Sequence, residues 1–385
     1  MARMDKKYYG FFAFFWYGLT LLLLFLFSYT QVDLNLTLSR ISIWQTIQKT
    51  FQYVGFYNRP LATFWYIGVL ISLFGVYMFL LYCVRHHFIT KKHIWMLILG
   101  GAAFLAFSYP ATSYDIFNHM FTAKTVLIYH QNPYLVTPLQ FAGVESWLSF
   151  MRWTHVVSIY SPLWIAMTLV PYLFGFGYFL FILWNFKILI SYFYLLAAWS
   201  IQHVLETEKN EDALFGVVLF ACNPLVLIES LVGAHNDMVM MGLALFALAI
   251  WKKRGIVASF AVLSASIAMK LMTILLIPMY VFPKKKWMPL FLMSMGMVGF
   301  LVVTKREVMP WYFLWVMPFV ALEPKKTWVT ILSVGISIGL LLRYAPYFYF
   351  GHWNDPVPMI KLWVTAVPIV VSLIVAGWQK YRKSI

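Results

Sequence analysis

The stretch Tyr8–Tyr29, "YYGFFAFFWYGLTLLLLFLFSY", contains no charged residue across its 22 positions. At a rise of 1.5 Å per residue, a helix of about 20 residues crosses the roughly 30 Å hydrocarbon layer of a bilayer. Similar apolar stretches recur as far as the C-terminus. We therefore predict an all-α polytopic membrane protein that forms a single integral membrane domain over residues 1–385.

The composition supports this class, because 62% of the 385 residues are hydrophobic and only 11% are charged. A water-soluble domain could not cover so much apolar surface. The net charge of +16 lies in short clusters between apolar runs, so we expect membrane lipids as partners and no nucleic acid. Cys83 and Cys222 lie inside apolar segments, which argues against a structural disulfide. The first apolar stretch is long for a signal peptide and lacks a small-residue cleavage site, which predicts a retained helix.

The basic clusters predict the topology, because the positive-inside rule places them all on the cytoplasmic side. They occupy residues 1–7, 85–92, 251–254, 283–286, 323–326 and 379–383. This requirement predicts about ten spanning helices, with both termini cytoplasmic. The predicted spans are 9–29, 61–84, 94–109, 176–203, 213–230, 236–251, 287–303, 311–323, 328–343 and 357–378.

Two apolar segments would reverse this topology if they crossed the membrane once. Ser161–Phe174 is short and bounded by prolines, and we expect it to re-enter from the external face. Gly255–Phe282 carries Lys270 at its centre and basic clusters at both ends, which predicts a broken helix with Lys270 at an external-facing apex. Non-helical backbone at such depth is tolerated only beside protein or a polar cavity. Apolar residues at helical spacing also predict an interfacial helix over 41–54.

Five ionisable residues converge on the predicted external side: Asp115, His119, His235, Asp237 and Lys270. Such groups at membrane depth are functional candidates. Asp115 could take a proton from a bound hydroxyl, or it could only mark the water boundary at a helix end. His119 would share the helix face of Asp115, where it could orient that carboxylate or touch a phosphate. Alternatively, it could be an interfacial histidine. Metal ligation by His235 and Asp237 stays open, although two ligands do not make a site.

Two lysines, Lys270 and Lys187, lie inside apolar segments. Because a buried ammonium needs an anion, each should have a partner. For Lys270 a phosphate is the natural partner, and snorkelling to the interface is the alternative. Lys187 has no obvious partner, so an internal salt bridge and a catalytic role are both open. Glu229, one turn before the sequence "GAHND" (Gly233–Asp237), could pair with His235 or with a sugar hydroxyl.

A set of motifs resembles a known family. The stretch "SYDIFNHMFTAKTVLIYHQNPYLVTP" (Ser113–Pro138) resembles the first external loop of GT-C glycosyltransferases, notably the polyprenol-phosphate-mannose-dependent mannosyltransferases. The later stretches "VVSIYSPLW", "NPLVLIESLVGAHND", "AMKLMTILLIP" and "MPWYFLWVMPF" are similar to family segments in the same order. The resemblance covers roughly 104–320. It suggests an N-terminal two-helix extension at 1–93, a GT-C-like catalytic core at 94–322 and C-terminal helices at 323–385.

The resemblance implies an inverting transfer of a sugar, taken to be mannose, from a polyprenyl-phosphate carrier to a hydroxyl of a glycan or glycolipid. The reaction would occur at the external face of a bacterial plasma membrane. Asp115 would be the general base, and Lys270, His235 and His119 would bind the donor phosphate. The sugar and acceptor contacts would come from Asn236, Asp237, Glu229, Tyr134, Tyr160, Trp311 and Tyr312. Many members carry a second acidic residue where this chain has Ser113, which leaves dependence on a divalent cation open.

Two other functions fit a polytopic chain. A lipid-linked sugar flippase or small-solute transporter would also need charged groups and broken helices, but transporters usually show paired half-sequences. The chain has no second copy of the Asp115 loop or of the Lys270 break. A non-catalytic assembly subunit would not need polar residues gathered on one side. The sequence therefore favours an enzyme.

Overall fold

The computed structural model describes residues 6–282 and 285–382, and the regular elements in this part of the chain are helices. It is 75% helix, and the described residues contain no strand, which confirms the all-α class. Residues 1–5, 283–284 and 383–385 hold parts of three basic clusters used in the topology prediction and lie outside the described residues.

Sixteen α-helices follow one another along the described chain. They are α1 (Lys6–Thr30), α2 (Ser42–Gln52), α3 (Arg59–Arg85), α4 (Lys91–Leu105), α5 (Asp115–Leu127), α6 (Pro162–Leu173), α7 (Phe179–Thr207), α8 (Ala213–Ala221), α9 (Pro224–Val226), α10 (Asp237–Met269), α11 (Pro278–Val281), α12 (Met288–Thr304), α13 (Met317–Ala321), α14 (Thr327–Leu342), α15 (Ala345–Phe350) and α16 (Val357–Arg382). Short 3-10 turns occupy Pro138–Phe141, Ser146–Ser149, Leu271–Leu276 and Pro310–Trp315, and π-helical turns occupy Tyr53–Tyr57 and Leu227–Val232.

Five helical segments of the described chain are long and apolar enough to cross a membrane. They are Tyr8–Thr30, Arg59–Arg85, Phe179–Thr207, Thr327–Phe350 and Val357–Arg382. The pair Ala213–Ala221 and Pro224–Val232, bent by 48°, makes a sixth if it is one broken span. The chain is thus an integral membrane protein with several apolar helices.

The predicted count of about ten spans is not confirmed, because several apolar stretches form helices shorter than a bilayer needs. Helix α4 has 15 residues, which at 1.5 Å per residue reaches only about 22 Å. Helix α12 has 17 residues. The predicted span 311–323 is a 3-10 turn followed by the five-residue helix α13. The segment Ser161–Phe174, predicted to re-enter, forms the 12-residue helix α6. An apolar stretch therefore does not fix the length of its helix.

Helix α10 consists of two legs that meet at Gly255. This residue has φ of 84° and ψ of 172°, a conformation that glycine adopts without a steric cost. The second leg ends at Lys270, whose φ of −153° and ψ of 134° are extended. The 3-10 turn Leu271–Leu276 and α11 follow. The helix break predicted at Lys270 is therefore present.

Two serines fasten the second leg of α10 to the segments on both sides. Ser266 Oγ donates to the carbonyl of Met240 at 2.7 Å and lies 2.9 Å from Thr273 Oγ1. Ser259 repeats this pattern about two helical turns away, with Oγ 2.7 Å from the Ala247 carbonyl and 2.6 Å from the Tyr280 hydroxyl. These bonds keep the legs antiparallel and bring Lys270 back beside the start of α10.

The centre of the core is an uninterrupted buried segment, residues 216–242. It runs from α8 through α9 and the π-helical turn into the first leg of α10. Most of the segment is apolar, but it also contains Glu229, His235, Asn236 and Asp237. Burying polar groups is costly unless they have partners, so these four side chains require polar partners in the surrounding structure.

The loop after α1 is held by α2, a helix whose polar face points towards the protein. Gln48 Nε2 donates to the Leu36 carbonyl at 2.6 Å, and Gln52 Nε2 donates to the Asp33 carbonyl at 3.0 Å. The opposite face is apolar and exposed, with Ile43 72% accessible. This is the arrangement expected of a helix that lies along a membrane surface. The helix is slightly shorter than the predicted 41–54.

Candidate active site

Asp115 is the first residue of α5, and its side chain is 33% exposed. Its backbone N–H donates to Ser113 Oγ at 3.2 Å. A carboxylate at a helix N-terminus interacts favourably with the helix dipole. The carboxylate Oδ2 lies 3.7 Å from His235 Nδ1. Asp115 is therefore accessible on one side and contacts a buried imidazole on the other.

His235 lies between two carboxylates. Its Nδ1 faces Asp115, and its Nε2 lies 3.2 Å from Oε2 of the fully buried Glu229. This second distance suits an ion pair, although the atoms are not aligned as a good hydrogen bond. The ring also stacks on Trp311, with centroids 4.3 Å apart. The pairing of Glu229 with His235, one of the two alternatives left open by the sequence, is present.

The charge state of His235 follows from these neighbours. Burial acts to lower the pKa of the ring, but Glu229, Asp115 and Asp237 act in the opposite direction and leave the pKa above its ordinary value. The imidazolium form is thus more favoured than in a free histidine. In that form, its positive charge is directed at two carboxylates of the protein.

His119 lies one turn after Asp115, as the four-residue spacing predicted, but its surroundings are different. Its Nδ1 accepts the indole N–H of Trp164 at 3.0 Å, and its ring packs on Tyr160 with centroids 4.3 Å apart. Burial lowers the pKa of His119 well below its usual range, and Lys270 and His235 add to this effect. The ring is therefore neutral.

Lys270 meets an anion that belongs to the protein. Its Nζ lies 2.7 Å from Oδ2 of Asp237, and the indole N–H of Trp315 donates to the other oxygen at 2.5 Å. Asp237 is buried, whereas the lysine side chain is 33% exposed. Asp237 thus satisfies the need for an anion that the sequence suggested for a substrate phosphate, and Lys270 keeps an accessible side.

The aromatic candidates occupy different depths. Tyr312 is buried and Trp311 half-buried beside His235. Burial raises the pKa of Tyr160 well above its usual range, and the carboxylates of Asp115 and Asp237 add to this effect. Tyr160 also packs on His119 and therefore belongs to the same cluster. Tyr134 is more peripheral, since its half-exposed side chain joins the others through a 2.7 Å bond to the Tyr160 carbonyl. Asn236 is buried just before α10.

Residues that the sequence did not single out complete the cluster. Tyr344 donates its hydroxyl to Glu229 Oε1 at 3.1 Å, across 115 positions of sequence. Nothing near Tyr344 in the sequence signals this contact. Trp315 was signalled, because it lies in the quoted motif "MPWYFLWVMPF", but its bond to Asp237 was not.

Asp33 connects the first loop to the segment that leads into Asp115. This buried carboxylate accepts a 3.3 Å bond from the Tyr114 hydroxyl and a 3.2 Å bond from Arg152 Nη2, both at Oδ2. Its Oδ1 accepts the backbone N–H of Asn35 at 3.0 Å. Because Tyr114 immediately precedes Asp115, the N-terminal part of the chain helps to build the cluster.

Metal ligation finds little support in the side-chain arrangement. Among residues 6–282 and 285–382, no group of three or more His, Cys, Asp or Glu side chains could hold a metal ion. His235 and Asp237, the pair considered from the sequence, each have other partners, Glu229 and Lys270. The second acidic residue of the family pattern is absent at Ser113.

No curated protein and no solved structure matches the chain. A family model described as alpha-(1->6)-mannopyranosyltransferase, N-terminal domain, matches residues 16–284, well over half of the chain. The match begins within α1 and contains Asp115, the GAHND sequence and Lys270, so residues 16–93 of the predicted N-terminal extension fall inside it. The family transfers mannosyl groups, which supports a glycosyltransferase. The chain belongs to the MptA_B family of alpha-(1->6)-mannopyranosyltransferases.

Proposed function

We propose that the protein transfers mannose from a polyprenyl-phosphate carrier to a hydroxyl of a glycan or glycolipid at the external membrane face, with inversion at the anomeric carbon. The observation that carries this proposal is the pairing of two accessible groups with buried supports. Asp115 and Lys270 are each 33% exposed, and the His235 and Asp237 behind them are buried. A base and a cation are therefore both accessible to a ligand at the same polar cluster.

The proposed chemistry uses these two groups on opposite sides of one carbon atom. The acceptor oxygen attacks the anomeric carbon while Asp115 takes the hydroxyl proton. The bond from that carbon to the phosphate oxygen breaks, and its electron pair leaves with the phosphate. Lys270 stabilises the negative charge that develops there. Attack opposite to the leaving group inverts the configuration, and no step is assigned to a metal.

A lipid-linked donor is supported by the surface next to Lys270. The turn that follows it exposes apolar side chains, with Leu271 74% accessible and Ile274 partly so. An ammonium beside an apolar surface suits a ligand whose phosphate is attached to a hydrocarbon chain. The chain can then stay in lipid while the sugar reaches Asp115. The positive-inside pattern of the basic clusters supports the external location.

The remaining candidates take supporting roles in this proposal. Trp311 offers an aromatic face for a sugar ring, and Tyr160, Tyr312, Tyr134, Asn236 and Asp237 shape the surrounding pocket. We assign the donor phosphate mainly to Lys270. The neutral ring of His119 lends it no charge, and the charge of His235 is directed at Asp115 and Glu229.

The test is the Asp115→Asn variant, purified in lipid nanodiscs and assayed with labelled polyprenyl-phosphate mannose and a mannoside acceptor. Since removal of a general base costs about 10²–10⁴-fold in rate, we expect at least a hundredfold loss of kcat with unchanged thermal unfolding. Glu211→Gln, at an exposed carboxylate outside the cluster, is the control and keeps wild-type activity. Near-normal turnover by Asp115→Asn would refute the base assignment. Use of a nucleotide-linked mannose in place of the lipid phosphate would refute the donor assignment.

A further inference from the structure

Glu229 is too deeply buried to touch a substrate. Its side chain has no exposed surface and lies on the π-helical turn Leu227–Val232, inside the buried segment 216–242. Its two oxygens face Tyr344 Oη at 3.1 Å and His235 Nε2 at 3.2 Å. Burying a carboxylate so completely is costly unless its partners are fixed. Neither the proposed base nor the proposed phosphate site explains why the chain keeps it.

The His235 ring is held in one orientation from several sides. Its backbone N–H donates to the Glu229 carbonyl at 3.1 Å, so the same residue holds both its main chain and its Nε2. Trp311 stacks on the ring with an interplanar angle of 20°. A Cβ on Gly233 would lie 3.2 Å from the ring, closer than ordinary van der Waals contact. The preceding Ala234 has φ of 56°, an unfavourable value for a residue with a side chain.

A strained backbone persists only where its surroundings impose it, and π-helical turns are frequent at functional sites. Here both features serve the same result, because they leave Nδ1 of the ring pointing at the Asp115 carboxylate, 3.7 Å away. We propose that Glu229 is a positioning residue that acts on Asp115 through His235, in a line that runs from the buried core to the accessible carboxylate. This inference rests on the proposed role of Asp115 as the base.

The charged and titratable groups that face the ring are Glu229, Asp115, Asp237 and His119. The three carboxylates raise the pKa of His235 despite its burial. Below that pKa the ring carries a proton on both nitrogens, and it can donate towards Asp115 and Glu229 at once. As the pH rises through that pKa the ring loses this charge and its hold on Asp115. We therefore expect His235 to set the alkaline limb of the pH profile of kcat.

Glu229→Gln tests this arrangement, because it keeps the shape of the side chain and removes its charge. Without that charge the ring loses its proton at a lower pH, so the alkaline limb moves to lower pH. At the wild-type optimum we expect kcat to fall about tenfold, a smaller loss than removal of the base itself would cause. The KM for the donor is unchanged. The control is Glu211→Gln, the same substitution at an exposed carboxylate outside the cluster, which leaves the limb in place.

A double variant distinguishes an effect of Glu229 through His235 from a general loss of folding. His235→Gln removes the ring through which Glu229 acts, so adding Glu229→Gln to it lowers kcat no further. A kcat that falls equally at every pH, or losses that add in the double variant, would overturn the inference. Asp115→Asn separates the two proposals. If it is inactive while Glu229→Gln leaves the limb unmoved, only the positioning role fails, whereas an active Asp115→Asn removes the base itself.

Discussion

Two lysines in apolar segments have opposite environments. Lys187, within α7, is buried and donates to the carbonyl of Ser108 and, at 2.6 Å, to its Oγ. Among the described residues it forms no ion pair. Lys270 lies at a break in the helix, pairs with Asp237 at 2.7 Å and stays 33% exposed. Both look alike in the sequence, as single cations within long apolar runs.

The difference shows that a buried ammonium can be satisfied in two ways. Ser108 follows the C-terminal end of α4, where helix carbonyls lack partners and the helix dipole is negative. Lys187 thus acts as a cation that closes the end of α4. Lys270 is held by a carboxylate at a place where the backbone is already irregular, and it faces accessible space. The first environment suits a structural lysine and the second suits one that meets a ligand.

The largest expected effect comes from Lys270→Met. If this lysine stabilises the departing phosphate, kcat/KM for the polyprenyl-phosphate donor falls about 10²–10³-fold, as for loss of one group that stabilises developing charge. The KM for the acceptor changes little. Steady-state kinetics with each substrate varied in turn, together with a thermal unfolding curve, measure both effects. An unchanged donor dependence would place Lys270 beside Lys187 as a structural residue.

An intermediate effect is expected from Asp237→Asn. The variant keeps an acceptor for Trp315 but removes the charge that holds the Lys270 ammonium, so we expect kcat/KM for the donor to fall about tenfold. Residues in contact couple in double-mutant cycles. The Asp237→Asn, Lys270→Met double variant is thus no worse than Lys270→Met alone. Losses that simply add would show that the two side chains act separately.

The smallest effect on activity is expected from Lys187→Met, the same substitution in the other environment. The methionine stem fills the space, but the Ser108 carbonyl loses a donor, which costs about 1 kcal/mol of stability. The melting temperature falls by a few degrees, and kcat/KM stays within about twofold of wild type. A loss of activity equal to that of Lys270→Met, without a change in melting temperature, would contradict the structural role.

Sequence reasoning worked where one physical rule dominates. The apolar runs predicted the all-α class because bilayer solvation leaves little choice. The basic clusters on both sides of Lys270 predicted the break there. The grouping of Asp115, His235, Asp237 and Lys270 on one side followed from the same topology, and the structure brings the four together.

Other features depend on contacts that no local pattern records. The predicted number of spans is not confirmed, because several apolar stretches, such as the one that holds α13, form short helices and turns. The Lys270–Asp237 pair joins residues 33 positions apart, and the Tyr344–Glu229 bond joins residues 115 apart. Such partners are set by how helices pack. The sequence therefore indicates which charged groups are buried, but it does not indicate which side chains pair with them.

The Asp33 carboxylate has a consequence for biosynthesis. Its partners Tyr114 and Arg152 lie 81 and 119 positions further along the chain. Asp33 is therefore synthesised long before Tyr114 and Arg152, the two residues whose side chains bind it. Until translation has passed residue 152, the Asp33 carboxylate lacks its only ion-pair partner among the described residues, although Tyr114 can already bind it. Assembly of the site is thus completed late in translation, although Asp33, which helps to hold it, is among the first residues to be synthesised.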